Sequence, residues 1–456
     1  MKVQSILRDL LTSTLPTRFR SSDVLDILVR GASIALLIQI TGNGIGYIGQ
    51  ILLARWLGVN NYGVYTYLIT WAQVFTIGAL LGLDLGIVRF VPEYLVRQDR
   101  EHLSGILRWS RFLVLAVGII LAVPSGLILF FVRPIQSATI TLLLGSLLIP
   151  LFAFSEVQTQ IIRSTRRIAW AYAPPILLQP LLLLVVAFGF VTILGGLTDY
   201  LSIVALGVSL CVIVILQGGV IHRVFSGLTR NVSPSYDAYG WLKVSLPLLF
   251  NSIFSIVILR VDTLAVGFFL GSEEVGIYGA AVKTATMVGV TLLAANTIVA
   301  PLIASYYTRR DIAGLQDVVS LATLGSFGFS LVIGLGVMLL SGPILGAFGT
   351  EFIRARLPLL ILILGQLVNV GSGSVGLLMV LTGHERQSMI VLGWCALIIS
   401  ALCLVVIPVF GIVGAAVVSM LGISLWNIWI YRLVVRNVGI HPSVFFAAKK
   451  LLWMKE

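Results

Sequence analysis

From Gly31 onward the apolar residues run in long blocks, broken by short segments that collect most of the charge. The blocks lie near 31–54, 63–88, 110–132, 138–162, 172–192, 200–221, 244–270, 275–303, 318–340, 356–381, 388–409 and 411–435. Each approaches or exceeds the roughly twenty residues that a helix, rising about 1.5 Å per residue, needs to cross about 30 Å of hydrocarbon. Inside a bilayer every backbone polar group must be bonded within the protein, so runs of this length read as helices. The pattern predicts an all-α polytopic membrane protein of about twelve transmembrane helices. Val3 to Leu11 carries apolar residues at helical spacing and suits a helix lying along the membrane surface. No connecting segment is long enough for a separate soluble domain; the longest runs from about Ile221 to Lys243.

One turn pattern occurs twice. LGVNNYGVY (Leu57 to Tyr65) matches LGSEEVGIY (Leu270 to Tyr278), with Leu, Gly, Gly and Tyr in the same places, at an offset of 213 residues. The same offset places Arg30 on Lys243, each just before the first span of its half. Six spans separate the copies, so both halves have the same orientation. This predicts a pseudo-twofold axis along the membrane normal, as in transporters built from parallel repeats. The expected organisation is an N-terminal segment (1–30), a six-helix half (31–221), a linker (222–243), a second six-helix half (244–435) and a C-terminal tail (436–456).

Composition changes how the charge is read. The chain is 58% hydrophobic and 11% charged, against about 25% charged in soluble domains. Its net charge of +12 would suggest nucleic acid in a soluble protein, but here the positive-inside rule applies first. With the N-terminus in the cytoplasm, 24 of the 30 basic residues fall on that side. Four (Arg55, Arg133, Arg354, Arg356) fall outside, and Arg260 and Lys283 lie within spans. Both termini are therefore expected in the cytoplasm, and no nucleic-acid partner is needed. The first thirty residues are polar and basic, unlike a signal peptide. Cys211, Cys395 and Cys403 lie in apolar runs at spacings that fit neither a metal site nor a disulfide framework.

Three charges interrupt the apolar runs on either side of the second turn: Arg260, Asp262 and Lys283. A charge at the centre of a bilayer helix costs at least about 2.5–3.5 kcal/mol, so such groups face protein or an aqueous cavity. Arg260 precedes Leu270 by ten residues, about 15 Å of helix, and Lys283 follows Val275 by eight, about 12 Å. On adjacent antiparallel helices the two reach similar depths and could form a cationic spot. The alternative is that they pair with carboxylates or carbonyls to hold helices together. Asp262, two residues from Arg260, does not share its face. It either carries a proton or cation during coupling or neutralises Lys283 across the helix pair. Asp84 and Arg89 lie toward the cytoplasmic end of the second span, as snorkelling ion-pair partners or as an inner gate.

LARWLGVNNYGVYTYL with GLDLGIVRFVPEY (Gly82 to Tyr94), RVDTLAVGFFLGSEEVGIYGAA (Arg260 to Ala281) and VIPVFGIVGAAVVS (Val406 to Ser419) resemble, in this order, bacterial polysaccharide or oligosaccharide flippases. That family belongs to the superfamily of multidrug and toxin extruders and lipid II flippases. The resemblance implies two six-helix bundles around a central cavity that opens alternately to each side. It also implies a lipid-linked oligosaccharide as substrate, whose diphosphate Arg260 and Lys283 would contact. Membrane lipids are expected around the protein, with a polysaccharide polymerase or glycosyltransferases as possible partners. Lipid II flippases usually carry additional C-terminal helices, which are not expected from this sequence.

Two other functions compete. A cation-coupled drug or metabolite antiporter of the same superfamily would need acidic residues in the cavity, whereas two of the three deep charges are basic. A membrane-embedded sugar polymerase would need catalytic residues on a sizeable outer loop. His102, His222, His384 and His441 all fall on the cytoplasmic side, and no glycine-rich phosphate loop or metal-ligand cluster occurs. No catalytic residue, metal or cofactor is expected.

Overall fold

In the computed structural model, the described residues are 22–132, 137–165, 167–230 and 232–453. The surface helix expected over Val3–Leu11 lies outside them, as do Arg133 and Arg166. Among the described residues the chain is helical, with no strand. In chain order the helices are α1 (Ser22–Leu80), α2 (Leu83–Arg97), α3 (Arg100–Val132), α4 (Thr139–Ser164), α5 (Ile168–Ala173), α6 (Gln179–Leu194) and α7 (Asp199–Thr229). They continue as α8 (Ala238–Leu270), α9 (Ser272–Thr308), α10 (Ile312–Leu339), α11 (Ser341–Gly346), α12 (Arg356–Gly371), α13 (Val375–Leu381), α14 (Glu385–Val438) and α15 (Val444–Trp453).

Ten helical stretches among the described residues are long and apolar enough to cross a membrane. Two of them, containing α1 and α14, fold back on themselves, which gives twelve crossings. In α1 the break is Gly58, at φ 72° and ψ 170°. Across it, the Tyr62 hydroxyl donates to Gln50 Oε1 at 3.1 Å. Twelve residues of unbroken helix would hold their backbones about 18 Å apart, beyond the reach of both side chains. In α14 the break is Gly411, at φ 61°. There the Asn437 amide donates to Gln387 Oε1 at 2.5 Å, fifty residues back along the chain. Positive φ at both points is a conformation that glycine adopts without a Cβ clash.

The repeat is visible in the backbone. Gly271, the counterpart of Gly58 at the 213 offset, takes φ 89° and ψ −177° between α8 and α9. Beyond each turn the two halves touch reciprocally. A methyl group on Gly63 would lie 1.7 Å from the Ser272 carbonyl oxygen; one on Gly276 would lie 2.4 Å from that of Val59. The offset maps Gly63 to Gly276 and Val59 to Ser272. One contact made twice with partners exchanged is the signature of a twofold axis between them.

Three crossings are interrupted. The second bends at Leu81–Gly82, where α1 gives way to α2. The fifth contains a π turn, Pro174–Leu178, between α5 and α6. Pro174 and Pro175 have no N–H to donate, and the Gln179 amide reaches back to the Pro174 carbonyl. The tenth, expected as one span over 356–381, splits into α12 and α13 around Gly373 at φ 74°. Tyr62, Tyr65, Tyr67, Tyr278 and Trp241 are fully buried within the helix packing. Large apolar side chains such as Phe112, Phe131 and Val405 stay exposed on the outer faces, as a lipid solvent allows.

Candidate functional site

A cavity of about 380 Å³ lies between the two halves. Residues 42–53 and 65–73 of the two α1 arms, the π turn, α6, Arg260 and Thr263 of α8, and residues 279–287 of α9 line it. Arg260 is ten residues from the end of α8, and Lys283 is eleven residues into α9. Both thus stand about 15–17 Å from the turn at Gly271, half the thickness of a hydrocarbon core. Their depths agree more closely than the sequence suggested, because α9 starts at Ser272 rather than at Val275.

Six pairs of lining residues are equivalent under the 213 offset: Tyr47 and Arg260, Gln50 and Thr263, Thr66 and Gly279, Ile69 and Val282, Thr70 and Lys283, Gln73 and Thr286. The repeat axis therefore passes through the cavity. The chemistry across it is unequal, since the first half offers neutral hydroxyls and amides where the second offers two cations. Tyr47 bridges the halves directly, with its hydroxyl 2.9 Å from Thr284 Oγ1. Tyr47, Gln50, Gln73 and Gln179 were not singled out from the sequence. Carrying Arg260 and Lys283 back by 213 residues would have pointed to Tyr47 and Thr70.

No acidic side chain lines the cavity among the described residues. Neither Arg260 nor Lys283 forms an ion pair among them. Arg260 Nε is buried without a hydrogen-bond partner. Asp262 forms no ion pair with Lys283 among the described residues. It is 5% exposed and lies inside the second half. Its carboxylate accepts from the Thr263 amide at 2.6 Å, the Tyr278 hydroxyl at 2.7 Å and the Ser419 hydroxyl at 2.5 Å. Two residues along a helix turn the side chain by about 200°, so Arg260 toward the cavity leaves Asp262 toward α9 and α14.

The cavity is sealed at the end that carries the Gly58 and Gly271 turns. Besides the Gly63 and Gly276 contacts, Tyr62 packs on Phe348 and Phe352 with ring centroids 6.5 and 5.8 Å away. Arg55 Nε donates to the Ala347 carbonyl at 2.6 Å, and the Ser272 hydroxyl donates to Asn60 Oδ1. Arg354 spans the acidic turn, bonding Glu273 at 2.7 Å and Glu274 at 2.6 Å.

At the opposite end, the halves meet where a methyl on Gly82 would lie 2.0 Å from the Ser245 carbonyl. Trp241 Nε1 donates to the Tyr94 hydroxyl at 2.9 Å nearby. Asp84 stands beside this seam in the first turn of α2, with Oδ1 buried and unpartnered. Arg89 is exposed and forms no ion pair with it among the described residues. The seam rests on small residues flanking Asp84, not on an Asp84–Arg89 pair. Asn296, a deep polar residue, accepts from the Ser374 hydroxyl at 2.5 Å, while Asn43 lines the cavity.

The sequence matches the family model described as "Polysaccharide biosynthesis protein" over residues 28–307, and the MatE model over residues 247–406. No curated protein matches it. Among solved structures, it is similar to the lipid II flippase MurJ in an inward closed conformation, with TM-score 0.70 and 16% identity over 87% of this chain and 86% of that one. It is also similar to an inward-facing multidrug resistance MATE family transporter of the MOP superfamily, with TM-score 0.62 and 14% identity over 95% and 98% of the two chains. A MOP superfamily transporter from Pyrococcus furiosus, described as having a binding pocket of reverse polarity, gives TM-score 0.63 and 15% identity over 91% and 96%. With a family match spanning more than half its length and the MOP superfamily fold around its cavity, the chain belongs to the polysaccharide biosynthesis protein family.

Proposed function

We propose that this protein is a flippase. It moves a polyprenyl-diphosphate-linked oligosaccharide from the inner to the outer leaflet of the cytoplasmic membrane, for surface polysaccharide assembly. The observation that carries this reading is the pair Arg260 and Lys283, at mid-membrane depth in a cavity that, among the described residues, has no acidic lining and gives them no ion-pair partner. A guanidinium fork suits a diphosphate bidentately, and an ammonium adds a point charge. Neutral amides and hydroxyls from the first half suit the sugars. The lipid tail can remain in the bilayer, so an apolar chamber for it is unnecessary.

Transport follows alternating access, with one half rocking on the other about the repeat axis. The seal at Gly63 and Gly276 faces outward when the end carrying both termini is cytoplasmic, the orientation the basic residues favour. The cavity is at the small end of the roughly 300–1,000 Å³ typical of ligand sites. A headgroup of several sugars therefore requires the halves to part further. Asp84 and Arg89 are proposed to bias opening of the inner seam through charge, not through a direct pair. The reaction calls for glycosyltransferases before this step and a polymerase or ligase after it.

The MatE match over the second half favours a competing reading, a cation-coupled drug antiporter. The cavity charge argues against it, because cationic drugs are repelled by Arg260 and Lys283. Deleting the gene separates the two. The flippase reading expects lipid-linked sugar to accumulate on the cytoplasmic side and surface polysaccharide to be lost. Normal surface polysaccharide with new sensitivity to cationic dyes would establish the antiporter instead.

A further inference from the structure

A second cavity, of about 480 Å³, lies between α3 and α7 toward the end carrying the termini, and shares no lining residue with the central one. Arg108, Arg111 and Ser104 of α3 face His222 and Ser226 of α7 and Arg230 just beyond it. No acidic side chain lines it among the described residues. Arg108, Arg111 and Arg230 form no ion pair there. Arg111 spends Nε on the Leu107 carbonyl at 2.7 Å, leaving its two terminal nitrogens to bind elsewhere. Independently of the cations, Ser104 Oγ is buried in the wall without a hydrogen-bond partner. A buried hydroxyl without a partner is costly, so one kept in this wall points to an oxygen-bearing ligand.

Depth identifies the ligand's source. In α3 the charge-free stretch 112–132 measures about 31 Å, and in α7 the stretch 200–221 about 33 Å. Arg111 and His222 each adjoin one of these stretches, at the boundary where lipid headgroups lie. Below Arg108, on the same helical stripe, Phe112 is 72% exposed and Ile119 53%; below His222, Ile215 is 71% exposed. A phosphate in the cavity would have its acyl chains against apolar, lipid-facing helix. Basic pockets between helices at this level suit anionic headgroups.

We propose that this cavity binds the phosphate of an anionic phospholipid from the leaflet on the side of the termini. Arg108 and Arg111 grip the phosphate, Arg230 closes over it, and Ser104 bonds a headgroup oxygen. The full chain should be placed in phosphatidylcholine nanodiscs containing a minor fraction of phosphatidylglycerol, and the bound lipid counted by native mass spectrometry. The wild type should retain phosphatidylglycerol selectively. Arg108→Gln/Arg111→Gln should lower that retention about tenfold or more, and Arg223→Gln, an exposed arginine outside the cavity, should leave it unchanged. Arg230→Gln, at the exposed end of α7, provides a milder test if the double variant does not fold, with a severalfold loss expected. Equal retention in wild type and folded variants would overturn the proposal. So would binding of inorganic phosphate in pure phosphatidylcholine discs without phosphatidylglycerol enrichment, which would make this a site for free anions.

Discussion

Arg260 and Asp262 are two residues apart and do opposite things. Arg260 lines the cavity, where we propose that it meets an anion; Asp262 faces protein and already accepts from three residues, Thr263, Tyr278 and Ser419. Arg260→Ala should abolish complementation of a deletion strain with membrane protein levels near normal. Arg260→Lys should restore part of it, because the charge remains and the fork is lost. Full activity of the alanine variant would remove the anion-site role. Asp262 should behave differently. Asp262→Ala removes the shared acceptor of the buried Tyr278 and Ser419 hydroxyls; these lie 3.1 Å apart and can bond each other, so one donor is orphaned at about 1–3 kcal/mol, and the melting temperature of the purified protein should fall. Asp262→Asn keeps an acceptor oxygen and should retain most stability and activity. If it stays fully stable yet transports nothing, Asp262 is a coupling residue instead.

Among the elements, the α1 hairpin and the α8–α9 pair form the contact that alternating access, as proposed, would open. Gly63 and Gly276 let the hairpin cross the start of α9 at backbone distance, and no side chain fits there. Gly63→Leu should hold this seal open. A cysteine at Thr66, which lines the cavity, should then react with a membrane-impermeant maleimide from outside, several times faster than in the Gly63 parent. Transport should fall, because the inward-facing state can no longer close its outer side. Unchanged labelling would show that this contact is not the outer gate. The π turn at Pro174–Leu178 presses on the cavity from the first half, and a methyl on Gly42 would lie 2.6 Å from the Ile176 carbonyl. The two proline rings fix this wide turn where a regular helix would run straight.

For the whole molecule, the testable quantity is orientation. Reporter fusions after Glu273 and Arg354 should read outside, and fusions after Arg166 and Arg310 inside. Those positions follow the fourth, seventh, eighth and ninth crossings, so a single inverted reading would displace every later helix. It would also separate the repeat from its axis. The structure joins the halves at both ends, through Gly63 and Gly276 at one and Gly82 at the other. With both seams closed, the cavity is narrow, and the proposed passage of a large headgroup would need one seam to open while the other holds.

The sequence by itself determined the crossings, the repeat and the depth of the charges. Each is a local or periodic property: twenty apolar residues must be a helix in lipid, and a turn motif repeated at 213 residues must recur as a turn. Even the reversal at Gly58 was legible, since LGVNNYGVY could be laid on LGSEEVGIY. The partner of each charge was not legible. Helical spacing excluded Asp262 as a mate for Arg260, yet it could not show that Tyr278 and Ser419 claim that carboxylate, because Ser419 arrives from 157 residues away. Nor could it bring the Tyr47 hydroxyl to Thr284 across the halves, or Arg108 to Arg230 across two helices. Those meetings depend on how helices rotate and cross when packed. Packing is decided by side-chain shape over the whole bundle, and only the tertiary structure states the result.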